Sequence, residues 1–474
     1  MRINPRLKNQ VLTLLALSVF LTAAGLAQQA GSAPAGWKKL PQILKRIVPP
    51  KFPKRDFDIT RFGAIGDGTT DCSKAFAEAV DKCAAAGGGR VVVPAGVFST
   101  GAIHLKSNVN LYVSKEATIR FSTDPGKYLP VVFTRWEGTE CMNYSALIYA
   151  FGQSNIAVTG EGILDGQGSD GTWWSWKGNR QGGTGKPNQN EARKKLLEMG
   201  DKNVPVKDRI FGDGSYLRPN FFQPYRCKNV LVEGVTFRNS PMWFLHPVLC
   251  KNISIIKVTT DGQGPNNDGC DPESSSDVLI KDCFFNTGDD CIAIKSGRNN
   301  DGRRVNVASE NIVVQGCTMK NGHGGVVMGS EVSGSVRNVY AEDCSMDSPV
   351  LDRALRIKTN ATRGGVIENV FMRNVKVGQV AEAVFRIDFY YEEGDRGGFT
   401  PVVRNIEMKN VECGKSRFGI WIQAYDRSPA TRIRLENCTF NNVAEPDILE
   451  NVQDLTLLNT KTKYRLEAPK KDMK

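Results

Sequence analysis

The chain has 474 residues, 62 of them Lys or Arg against 50 Asp or Glu, for a formal net charge of +12. With 47 glycines and 24% charged residues it reads as soluble and turn-rich, and all-β repeat folds often run this long as one unit. The basic balance attracts polyanions, but there is no basic helix and no aromatic-rich RNA-binding strand, so nucleic acid is not the expected partner.

Arg2, Arg6 and Lys8 precede an apolar run from Val11 to Leu26 and a small-residue site at Ala27. This is the layout of a secretory signal peptide over residues 1–27; a membrane anchor is the alternative, but the run is short. The expected location is secreted or periplasmic, with no membrane attachment after cleavage. An acidic polysaccharide suits both the export signal and the charge. Residues 28–55 carry Pro41, Pro49, Pro50 and Pro53 among lysines and are expected to form a tether.

A strand and turn at 57–68 lead to an amphipathic helix whose apolar residues, Cys72, Ala75, Phe76, Ala79, Val80 and Cys83, are spaced three and four apart. Thr70 or Asp71 can cap it, glycines at 87–89 end it, and strand resumes at Arg90. One such helix before a long β-region covers the open end of a solenoid. From Asn229 a unit recurs: Asn or Asp, alternating apolar residues, then a polar turn, starting again at Asn252, Asp277, Asn311, Asn338, Asn369, Asn405, Arg432 and Asp454. Six residues after the first eight starts stand Val235, Val258, Cys283, Cys317, Cys344, Val375, Val411 and Cys438, and Thr460 breaks the series at the ninth. Cysteine thus replaces valine at one inward register, which predicts a stacked ladder of buried thiols rather than disulfides. Short strands at this period mean a β-helix over 56–465, with 466–474 as a tail. A sandwich or propeller fits the irregular gaps less well. Residues 165–220 break the repeat; polar, Gly-rich and bearing Trp173, Trp174 and Trp176, with a short helix from Asn190 to Met199, they are expected to wall the binding face. Those tryptophans could stack on sugar rings or simply pack the wall.

Chemistry concentrates in the turns. Asp268, Asp289 and Asp290 lie within 22 residues, and stacked rungs about 4.8 Å apart would bring them together. Three crowded carboxylates cannot all ionise freely, which is how one residue type supplies both acid and base. His323 sits between glycines at a strand end. Arg356 and Lys358, two apart on a strand, point to one side and suit a carboxylate ligand.

In order and spacing, Asn266-Asn267-Asp268, Gly288-Asp289-Asp290, Gly322-His323-Gly324 and Arg356-Ile357-Lys358 resemble the four signature motifs of the polygalacturonases of glycoside hydrolase family 28. Residues 62–68 with Thr70 and Asp71 resemble the N-terminal motif of the wider pectin-lyase-like superfamily. The resemblance covers residues 56–465. It implies an all-β, single-stranded right-handed parallel β-helix with an N-terminal capping helix, and inverting hydrolysis of α-1,4-galacturonosyl bonds without metal or cofactor. By that likeness Asp289 is the general acid, Asp268 and Asp290 activate water, and His323 supports the acid's protonation. Arg356 and Lys358 grip a galacturonate carboxylate, and Tyr391 matches a substrate-stacking tyrosine. Asn267 departs from the family's usual threonine. The stretches 241–247 and 329–334 resemble bacterial exo-acting members, which makes Trp243 and His246 candidate subsite residues. Stacking alone would give carboxylates about 5 Å apart, the spacing of retention rather than inversion; the family implies inversion. A monomer acting on pectin oligosaccharides is expected. The alternatives are a rhamnogalacturonan or xylogalacturonan hydrolase, a calcium-dependent pectate lyase, or a non-catalytic polysaccharide-binding β-helix.

Overall fold

The computed structural model describes residues 36–178 and 187–465. It divides into a short unit, residues 1–39, and a long one, residues 40–474. The described part of the short unit is the opening of helix α1, Gly36–Arg46. The expected signal peptide and the tail lie outside the described residues, among which no helix is long and apolar enough to cross a membrane.

From the strand Asp56–Asp58 to the strand Lys461–Tyr464 the chain winds as a right-handed parallel β-helix. The recurring Asn or Asp opens each coil in a left-handed backbone conformation, with φ of 56° at Asn229, 59° at Asn252 and 55° at Asp277. Asn and Asp tolerate that conformation because a short polar side chain can bond locally. Here the bond runs between coils. Asn155 donates to Asn108 (2.9 Å), Asn229 to Asn155 (2.8 Å), Asn338 to Asn311 (3.1 Å) and Asn405 to Asn369 (2.6 Å). Each such amide bond adds about 0.5–1.5 kcal/mol and locks the register of the coils.

Inside, the expected ladder is present. Val375 pairs in register with Val411, and all eight residues of the series are buried. All twelve cysteines are buried free thiols.

Helix α2, Ser73–Ala85, caps the first coils with Ala75, Phe76, Ala79, Val80 and Cys83 buried. The N-cap position is held by Cys72, which makes no side-chain capping bond. Asp71, one residue further out, accepts from the Ser73 backbone N–H at 2.9 Å, so neither Thr70 nor Asp71 is the cap. The tether expected over 28–55 is corrected in part. Residues 36–46 are helical, and Leu40, Ile43 and Ile47, spaced three and four apart, are buried. Arg46 ion-pairs Asp277 (2.7 Å), and Val48 exchanges hydrogen bonds with the Asn252 amide (2.9 and 2.8 Å). This segment therefore takes over the asparagine ladder between two coils.

The strands Val132–Trp136 and Thr139–Asn143 form the one antiparallel strand pair among the described residues, which the sequence reading did not foresee. Glu137 and Gly138 turn between them at φ of 40° and 79°, the paired positive values of a type I′ hairpin. The insertion 165–220 carries helix α3, Asn190–Asp201, close to the helix expected there. It is pinned by Asn300 of the short helix α4, Asn299–Val305, which donates to the Asp201 carbonyl (2.7 Å). Trp173 is buried edge-on against Tyr128 (5.6 Å) and Trp176 (4.9 Å), and Trp174 Nε1 donates to the Ser240 carbonyl (2.9 Å). These tryptophans pack the wall rather than face the site described next.

Candidate active site

A six-stranded sheet runs in the order Ile292–Ile294, Val326–Met328, Arg353–Lys358, Ala383–Asp388, Phe418–Gln423 and Ile448–Glu450. Its apolar residues alternate into the core, and its other face carries polar side chains. Just before the first strand, the rungs align Asp268 with Asp289 and Asp290. The Gly269 N–H donates to the Asp290 carbonyl (3.0 Å), and one oxygen from each of the three carboxylates lies within 4.8 Å of the others. Stacked rungs thus bring the three carboxylates together as expected. Asn267, the residue that departs from the family pattern, is fully buried. Its amide donates to the Ser240 and Met242 carbonyls (2.9 and 3.0 Å) and accepts from Gly264 N–H (3.0 Å), so the substitution braces the turn.

Asp289 is the trio's most open member, its side chain 18% exposed, and it meets His323 Nδ1 at 3.1 Å from Oδ1. Gly322, at φ 136°, has no room for a side chain because a Cβ would strike the Asp289 carbonyl; the glycine lets His323 come this close. Asp268 and Asp290 lie deeper, 3% and 1% exposed. Asp290 is ion-paired to Lys358 Nζ (2.6 Å) and faces Arg356 Nη1 (3.6 Å). The two cations predicted to share a side do so, but their internal anion is Asp290. Tyr391 covers both, 5.3 Å from Arg356 and 5.1 Å from Lys358.

A cavity of about 350 Å³ opens over this group, lined among others by Asp268, Asp289, His323, Lys358, Tyr391 and Trp243. Arg356 lies beneath this lining. His246 does not reach it, which corrects its expected subsite role. It is wholly buried, with Nε2 2.7 Å from Glu273 and Nδ1 2.9 Å from Asn220 and 3.0 Å from Gln223. Burial pushes its pKa down, and its edge supports Trp243 (4.7 Å) from behind. Trp243 in turn faces Lys295 at 4.5 Å.

Lys177, Arg193, Glu137, Lys295, Arg298 and Glu331 also line the cavity, and the sequence reading missed them. Lys295 sits among Glu331 (3.2 Å), Asp271 (3.5 Å) and Asp268 (3.6 Å). Arg193 ion-pairs Glu137 (2.6 Å), and Arg298 pairs with Glu392 (3.0 Å) and Glu393 (3.1 Å). Lys295 had a usable signal: it continues the outward parity of Ala293 in a strand whose Ile292 and Ile294 point inward. Glu137, Lys177 and Arg193 come from the hairpin and the insertion, where no repeat marks them.

Protonation follows from these contacts. Burial, reinforced by Asp271 and Asp289, pushes Asp268 well above the usual carboxylate range, and burial does the same to Asp271. Asp289 is held well below that range, its burial outweighed by the His323 hydrogen bond and charge. That hydrogen bond raises His323 from 6.5 to about 9. The trio's spacing would also accept a cation, but Lys358, Lys295 and His323 already supply its positive charge.

The sequence profile described as "Glycosyl hydrolases family 28" matches residues 212–456. The fold is similar to that of a hyperthermoactive exopolygalacturonase from Thermotoga maritima: TM-score 0.88, 44% identity, 90% of this chain and 96% of that one. A probable polygalacturonase of Vitis vinifera is 28% identical over 400 residues, covering 81% of this chain and 74% of that protein. An exo-poly-alpha-D-galacturonosidase of Dickeya chrysanthemi is 26% identical over 359 residues, 71% and 58% of the two chains. The chain belongs to glycosyl hydrolase family 28.

Proposed function

We propose that the protein is an exo-acting polygalacturonase that hydrolyses α-1,4-galacturonosyl bonds from a chain end, outside the cytoplasm. The observation that carries this is an open carboxylate beside a histidine, set over two buried ones, in a small cavity with cationic walls. Lys177 has no carboxylate within ion-pairing reach among the described residues, and burial lowers its pKa; a galacturonate carboxylate is a fitting partner.

Asp289 is the general acid. His323 passes its proton across the 3.1 Å contact to Asp289, which delivers it to the glycosidic oxygen as the C1–O bond breaks. Asp268 Oδ1 and Asp290 Oδ1 are buried without hydrogen-bond partners and together hold the attacking water, whose proton goes to Asp290. Solvent exchange then returns the proton to the His323–Asp289 pair. The 4.8 Å grouping is nearer the roughly 5–5.5 Å of retaining enzymes than the about 6.5–9.5 Å of inverting ones. The depth of the two inner carboxylates, 3% and 1% exposed, supports a small water rather than a sugar C1 as their partner, and we read the reaction as a single displacement with inversion. Proton NMR of fresh digests should show β-galacturonate first, and chromatography should show monomer alone at early times. A mixture of oligomers at early times would make the enzyme endo-acting, and a first-formed α-anomer would make Asp268 or Asp290 a nucleophile.

The acid's supply sets an alkaline limit. The His323 contribution is whole below the unfolded value of 6.5 and is lost as pH rises through about 9. Asp289, depressed, contributes above the ordinary carboxylate range and loses it as pH falls. The kcat/KM profile should therefore drop near pH 9, and His323→Gln should remove that limb while lowering activity throughout. An unchanged limb in the variant would assign it to another group.

A further inference from the structure

Past the cavity, the outer face of the six-stranded sheet carries a row of side chains that the mechanism does not use. Arg356 pairs in register with Arg386, and Arg386 with Trp421. Phe385, Ile387, Ile420 and Ile422 alternate into the core, so the row shares the face of Lys358. Rungs stand about 4.8 Å apart; two guanidinium groups on neighbouring rungs repel each other, and an anion laid across them relieves the repulsion.

Arg386 is built to receive one. It is only 6% exposed. Its Nη2 donates to Gln423 Oε1 (3.0 Å) and ion-pairs Asp388 (3.2 Å), and its guanidinium lies 3.8 Å over the Trp421 ring. Nη1 is buried with no hydrogen-bond partner, a costly state for a charged donor unless a ligand completes it. Trp421 Nε1 holds the same Gln423 oxygen (2.9 Å), which fixes the stack.

On the side of the earlier coils, Arg218 ties the insertion to the Asp268 turn through Gln189 (3.0 Å), the Pro265 carbonyl (2.7 Å) and Asn266 (2.8 Å). His323 lines the cavity with its side chain 53% exposed. Arg353 Nη1 lies against the His323 carbonyl (3.4 Å), on the strand next to Arg386.

We propose that Arg386 binds the carboxylate of a galacturonate unit lying outside the cavity, through Nη1, with Trp421 as the positioning residue that holds the guanidinium flat. This rests on polygalacturonate being the substrate. The test compares Arg386→Gln, Arg386→Lys and Trp421→Ala in the full chain on digalacturonate, trigalacturonate and polygalacturonate, with melting temperatures to confirm folding. Arg386→Gln should cut kcat/KM on the longer substrates by roughly 10- to 100-fold, the worth of a charge-assisted bond, through KM and with kcat kept. Digalacturonate should be unaffected, Arg386→Lys should recover part of the loss, and Trp421→Ala should reproduce a smaller KM effect. Equal losses on short and long substrates, or none on any, would overturn the proposal alone. A wild-type protein that cleaves no galacturonan would remove the substrate assignment and this proposal together.

Discussion

Replacing Asp289 by asparagine lowers kcat on polygalacturonate by about 10²- to 10⁴-fold, the usual worth of a positioned general acid, with KM little changed. The substitution keeps the shape of the site. An amide oxygen can still accept the Asp290 backbone N–H, now at 2.9 Å from Asp289 Oδ1, and still face His323. It cannot hand over a proton. Reducing-sugar release at matched protein concentration measures the loss. An aryl galacturonide, whose leaving group departs without protonation, should narrow the gap between wild type and variant. Near-normal turnover on the polymer would take the acid role from Asp289 and leave His323 as the better candidate.

The second large effect concerns stability as much as rate. Lys358 and Asp290 form a pair with side chains 7% and 1% exposed, and Lys358→Met leaves the carboxylate facing Arg356 Nη1 alone, at 3.6 Å. Breaking a buried pair from one side costs about 3–5 kcal/mol when the remaining charge has no partner, and the Arg356 contact puts this loss at the low end of that range. The Lys358 pKa is raised because Asp290 outweighs its burial, so its contribution is whole below the ordinary lysine value and lost above the raised one. Denaturant midpoints should fall for Lys358→Met and recover in good part when Asp290→Asn is added, while activity stays absent in both. A single variant that unfolds at the wild-type midpoint would show that the pair contributes little.

The trio was legible in the sequence because its members sit in turns whose spacing follows the repeat, so equal register translates directly into proximity. The asparagine and cysteine series were legible for the same reason. His246 was not. Its partners Asn220, Gln223 and Glu273 come from neighbouring coils, and nothing along the chain shows that they will enclose it. Helix α1 was hidden by Pro41 within it and Pro49, Pro50 and Pro53 after it, which read as breakers, although Leu40, Ile43 and Ile47 carry helical spacing. The hairpin at 132–143 left a clue in Glu137-Gly138, since a glycine-bearing pair between alternating residues is a hairpin signal; it went unseen because it interrupts the period instead of continuing it. The cavity walls were hardest to read, because Glu137 comes from the hairpin and Lys177 and Arg193 from the insertion.

The stacked thiols have a consequence for where this protein can mature. Most exported proteins rich in cysteine depend on oxidation and shuffling to reach one covalent pattern. Here all twelve sulfurs fill space as small hydrophobes, so the native state asks nothing of the redox surroundings. Reaching it requires no disulfide to form, and so no disulfide isomerase.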